Sequence, residues 1–219
     1  MNENIIHNFC ESKLSNNEPP EILNSYTSLF ITIIPIIFGF PKNNIFFNIA
    51  CMFIFNGFAS FYYHYTLSWS GKQSDEISMI MATYFGINGL LKIYFINNEP
   101  KLNFYSLFNN IYSILFIIIN TNVSNDKFFP FLFTIHVLFT IFLIYKISKK
   151  YDYYKDLVLY KKNLAISACG AACWIISELY CNKYTKFGHV IWHLLFPLGF
   201  YKLILNFDKL LYNLLIKNI

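Results

Sequence analysis

The sequence predicts an all-α integral membrane protein, a seven-transmembrane helix bundle with its N-terminus lumenal or outside and its C-terminus cytosolic. Three observations lead there. Of the 219 residues, 56% are apolar and 21% aromatic while only 13% are charged, where an ordinary soluble domain carries roughly 25% charged residues. Half the usual charge cannot solvate a globule of this size, and disorder needs the opposite balance of low hydrophobicity and high net charge. The second observation is a series of long apolar runs, each close to the ~20 residues of one membrane crossing. The third is the distribution of lysine, which orients them.

The runs fall at about 22–40, 44–66, 76–96, 103–120, 128–147, 163–181 and 187–207. Between them lie Pro41-Lys42, Leu67 to Asp75, Asn97 to Leu102, Thr121 to Lys127, Lys146 to Lys162 and Asn182 to Lys186. No repeat or linker divides the chain, so residues 1–219 read as one membrane domain. The first 21 residues are polar and acidic, with neither the basic start nor the apolar stretch of a cleavable signal. The first run is therefore expected to act as the membrane signal. Asn109, Asn110 and Asn120 dilute the fourth run. The sixth carries Ser167, Ala168, Gly170, Ala171 and Ala172, small residues that let helices approach closely in a bilayer.

All 17 basic residues are lysine and none is arginine, which argues against a dedicated phosphate or nucleic-acid reader built on the bidentate guanidinium. The N-terminal side holds 5 lysines, Lys13, Lys72, Lys127, Lys183 and Lys186, and the other side holds the remaining 12. The positive-inside rule then sets the termini as stated above.

Ionisable groups inside spans are costly and usually mark function. His64 closes the second run, Asp75 opens the third, and His189 and His193 open the seventh. The alternation of span direction brings all four to one membrane face. Ser60 lies four residues before His64, one turn deeper on the same helix face, and His189 and His193 share that spacing. Three histidines and a water make a catalytic zinc set with an open fourth position. Ser60 also reads as a helix-packing serine, and Asp75 as a carboxylate capping the third span. His136 and Glu178 have no partner at helical spacing and stay unassigned.

The segments Ser60-Phe61-Tyr62-Tyr63-His64, Asp75-Glu76-Ile77-Ser78-Met79 and Gly188-His189-Val190-Ile191-Trp192-His193 resemble the motifs of the alkaline ceramidases. These are seven-span zinc amidases in a superfamily of membrane hydrolases that includes the adiponectin and progestin receptors. Cys10-Glu11, Glu21, Asn24, and Trp174 followed by Cys181 extend the resemblance over nearly the whole chain. It implies that His64, His189 and His193 hold Zn²⁺, that Asp75 is the base for the attacking water, and that Ser60 hydrogen-bonds that water or the oxyanion. It implies a Cys10–Cys181 disulfide, which would clamp residues 1–21 over the site from the lumenal side. It also implies an N-terminal calcium cluster, here degraded: Asn8, the Phe9 carbonyl, Glu11 and Glu21 remain as ligands, and Lys13 stands where the family pattern has Asn.

The expected function is hydrolysis of the ceramide amide to a sphingoid base and a fatty acid, in a multi-pass protein of an endoplasmic reticulum or Golgi-type membrane. Its partners would be a ceramide-type substrate and membrane lipids, with no nucleic acid and no obligate protein partner. A related superfamily hydrolase or receptor with a different lipid is the alternative. A bis-histidine haem carrier is a rival from another class, though it has no use for Asp75 or Ser60. Cys51, Cys169 and Cys173 lie within runs and read as buried apolar fillers. The sequon Asn122-Val123-Ser124 sits so close to a span end that it is expected to stay unmodified.

Overall fold

A computed structural model describes residues 9–16, 18–122, 128–151 and 160–217. Among the described residues the chain is helical and contains no strand. The helices are α1 (Cys10–Lys13), α2 (Ile22–Phe38), α3 (Asn44–Thr66), α4 (Trp69–Tyr94), α5 (Glu99–Asn122), α6 (Phe128–Lys150), α7 (Tyr160–Leu179) and α8 (Phe187–Lys217). Five of them, α3, α4, α5, α6 and α8, are long and apolar enough to cross a membrane. The apolar α2 has 17 residues, or about 26 Å at the helical rise.

The seven apolar runs coincide with α2 to α8, with two corrections. The third helix begins at Trp69, not near residue 76. Its first turns, Ser70 to Ser74, are polar and read as loop, but Ser68 caps them: its Oγ accepts from the Gly71 amide at 3.2 Å and its carbonyl from Lys72 at 3.0 Å. Asp75 is thus inside the helix and caps nothing. Leu67, buried and at φ 49°, turns the chain between α3 and α4. The last helix runs ten residues past 207 to Lys217, because Asp208 is held by other groups and does not end it.

The chain divides into two compact units, each described by itself. The first comprises Met1–Gly39, Phe53–Ser78 and Lys161–Lys202. Here α2 turns Asn24, Ser25, Ser28, Ile31, Thr32 and Pro35 inward, and Thr32 Oγ1 donates to the Ile54 carbonyl at 3.0 Å. The small residues of α7 take α8 close: Ser167 Oγ donates to the Phe196 carbonyl at 2.9 Å. A Cβ at Gly199 would overlap Ser167 Oγ and the Asn163 carbonyl, so only glycine fits there.

The second unit comprises Phe40–Met52, Met79–Tyr160 and Leu203–Ile219. Asp208 accepts from the Lys42 and Asn43 amides, each at 2.8 Å, and from Asn43 Nδ2 at 2.7 Å. His136 on α6 is 3% exposed, lies 4.7 Å from the Tyr112 ring, and has neither ring nitrogen hydrogen-bonded. The free cysteines correct an expectation: Cys169 is exposed and Cys51 and Cys173 are half-buried, so none of the three is a fully buried filler. Of the sequon, Val123 and Ser124 lie outside the described residues.

Candidate metal centre

Three buried imidazoles meet in the first unit. His64 ends α3, while His189 and His193 occupy the first two turns of α8. Their exposures are 1%, 4% and 2%, and one ligand nitrogen from each lies within 4.8 Å of the others. Ring centroids are 4.9 Å apart for His64–His189, 5.2 Å for His64–His193 and 4.7 Å for His189–His193. No other group of three or more His, Cys, Asp or Glu ligand atoms gathers in this way among the described residues. Gly188 places α8 for this: a Cβ there would overlap the Cys173 carbonyl of α7, so only glycine allows the approach.

Two of the rings are oriented by hydrogen bonds through Nδ1. The Glu21 carboxylate accepts from His64 Nδ1 at 2.7 Å through Oε2. Thr27 spends its only proton on the Leu23 carbonyl at 2.6 Å, so its contact with His193 Nδ1 at 3.1 Å is one it accepts. Both rings then carry the proton on Nδ1 and keep a lone pair on Nε2, the arrangement in which a histidine serves a metal. Burial pushes the Glu21 carboxyl up, but the hydrogen bond and charge of His64, with hydrogen bonds from Ser12 and Asn24, outweigh it and hold Glu21 below the ordinary range. With these partners and this burial, the trio could hold a metal ion.

Beside the imidazoles, α3 presents Asn56, Ser60 and His64 at successive spacings of four. Asn56 Nδ2 donates to Asp75 Oδ1 at 2.8 Å and contacts Ser78 Oγ at 2.8 Å. The Ser60 hydroxyl hydrogen-bonds the same carboxylate, and His64 acts on it electrostatically. Ser60 is 2% exposed. The sequence reading missed Asn56, although it extends the Ser60/His64 stripe by one turn. Thr27 and the contact of Glu21 with His64 had no signal, lying 166 and 43 residues from their histidines.

The N-terminal segment contacts the same place. The Phe9 ring meets His189 edge-on at 4.4 Å and His64 at 5.0 Å. A disulfide joins Cys10 to Cys181, with Cα atoms 5.3 Å apart across 171 residues of sequence. Glu178, unassigned from sequence, accepts from the Cys10 amide at 3.1 Å and pairs with Lys13 at 2.9 Å. Asn8 lies outside the described residues.

Residues 4–218 match the Ceramidase family model. Alkaline ceramidase 1 of Mus musculus is 25% identical over 216 residues, covering 88% of this chain and 75% of the mouse protein. With nearly its whole length matched, the chain belongs to the Ceramidase family.

Proposed function

We propose that this protein is an intramembrane zinc-dependent amidase that hydrolyses ceramide to a sphingoid base and a free fatty acid. The observation that carries the reading is the buried His64/His189/His193 trio next to Asp75 in a chain of this family. In this reading α2 to α8 are seven spans, the N-terminus is lumenal, and the membrane belongs to the secretory pathway. The lysine asymmetry and the Cys10–Cys181 disulfide support that orientation, since disulfides persist in oxidising compartments.

His64, His189 and His193 would hold the ion. Zinc so held brings water toward a pKa of about 7 and polarises a carbonyl. The remaining roles belong to the chain. Asn56 fixes one carboxylate oxygen of Asp75 and leaves the group aimed as a general base for the water that attacks the amide carbon. The Ser60 hydroxyl is placed to turn from Asp75 to the oxyanion that develops on the carbonyl oxygen, where a donor in a dry site acts strongly. As the C–N bond breaks, Asp75 returns its proton to the departing amine, and the fatty acid leaves as carboxylate. Phe9 covers two of the imidazoles and limits the entry of bulk water.

The test pairs elemental analysis of purified protein with release of fatty acid from labelled ceramide. About one zinc per chain and release that disappears in His193→Ala are expected. A variant that keeps both its zinc and its hydrolysis removes the assignment.

A further inference from the structure

The calcium cluster implied by resemblance requires carboxylate and carbonyl oxygens turned toward one point, because Ca²⁺ takes six to eight oxygen ligands. The oxygens of this segment are turned elsewhere. Glu11 accepts from the Leu23 amide at 2.8 Å and the Asn24 amide at 2.9 Å, capping the first turn of α2 with both its oxygens. Glu21 accepts from the Phe9 amide at 2.9 Å and from the Ser12 hydroxyl on Oε1, and from Asn24 Nδ2 and His64 Nδ1 on Oε2. The Phe9 carbonyl accepts from the Lys13 amide at 3.0 Å. At Phe9, Glu11 and Glu21 each oxygen that would serve as ligand already faces a hydrogen-bond donor, so the described residues do not fit a calcium ion.

A cation is nevertheless present in the segment, and it belongs to the chain. Lys13 stands where the family pattern has Asn, and its ammonium lies 2.9 Å from Glu178 Oε2 at the end of α7. The other oxygen of Glu178 accepts from the Cys10 amide at 3.1 Å, and Cys10 is bonded covalently to Cys181 three residues beyond Glu178. An isolated pair of this exposure contributes little. Here the disulfide holds both partners together, so the pair forms at the high effective concentration of an intramolecular contact.

We propose that the N-terminal segment is latched over the histidine trio by the Lys13 ammonium on Glu178, with the donors on Glu11 and Glu21, in place of a bound calcium ion. This protein is then insensitive to calcium. The inference rests on the preceding reading only for the identity of the metal at the histidines.

The test uses the full chain in detergent or nanodiscs. Elemental analysis should find no calcium above background, and titration with calcium chloride to millimolar concentration should give no saturable heat and no shift of the unfolding midpoint. Lys13→Glu places two carboxylates together and should speed reduction of the Cys10–Cys181 disulfide by about three- to tenfold, with metal content at the histidines unchanged. Stoichiometric calcium in the purified protein, or saturable calcium binding, overturns the latch, as does a Lys13→Glu protein whose disulfide is reduced at the original rate. Protein that lacks zinc and also ignores calcium supports the latch and overturns the amidase reading instead.

Discussion

The two compact units each bury histidine, and they use it differently. In the first, three imidazoles stand together, two of them bonded through Nδ1 to Glu21 and Thr27, with a carboxylate, a serine and an asparagine alongside. In the second, His136 stands among Tyr112 and Phe116 with neither nitrogen hydrogen-bonded. The second unit also buries a carboxylate, Asp208, but three donors from Lys42 and Asn43 surround it and fix the start of α3. Burial alone therefore does not identify a chemical site. What separates the units is whether neighbouring groups leave lone pairs unspent and facing one another.

The sharpest way to break that contrast is to remove one histidine from each unit. His193→Ala should drop zinc to background and abolish ceramide hydrolysis, whereas His136→Leu should keep both, as measured by elemental analysis and fatty-acid release. Equal losses from the two would erase the distinction. Asp75→Asn should retain its zinc and lose about 10²- to 10⁴-fold in turnover, the usual contribution of a general base. Loss of zinc from that variant would make Asp75 a ligand. Glu21→Gln keeps the shape of the His64 partner but weakens its hold on the ring, and should lower zinc affinity about 10- to 100-fold. A competition titration with a chromophoric chelator reads this directly. Cys10→Ser leaves the ligands untouched and should cost about 2–4 kcal/mol of stability, seen as a lower unfolding midpoint without loss of bound zinc.

Much of this was legible in the chain because long apolar helices announce themselves by length. Seven apolar runs became α2 to α8, with errors at the third and seventh, where polar residues continue a helix: Ser70 to Ser74 under the cap of Ser68, and the stretch past residue 207. Helical spacing also carried Ser60 with His64 and His189 with His193. It extended to Asn56, which the same spacing marked but which carries no charge to draw notice. Glu21 drew notice only through the family resemblance, as a calcium ligand; its bonds to His64 and Ser12 depend on how the segment folds back. Glu178 looked stranded in a span; its partners, Cys10 and Lys13, lie 168 and 165 residues away. Contacts of that range leave no periodic trace in a sequence.

The order in which the chain is made gives the centre a timetable. Its first histidine arrives with α3, but the other two wait for α8, and Cys10 waits across 171 residues for Cys181. A nascent protein interrupted before Phe187 owns a single imidazole of the trio. Until Cys181 is made the N-terminal thiol lacks its partner, and the early helices form with the centre unfinished. A metal ion that needs all three histidines could therefore load only after α8 has been made. An ion held at all three histidines would then report that synthesis has passed His193 and that α8 has met α3.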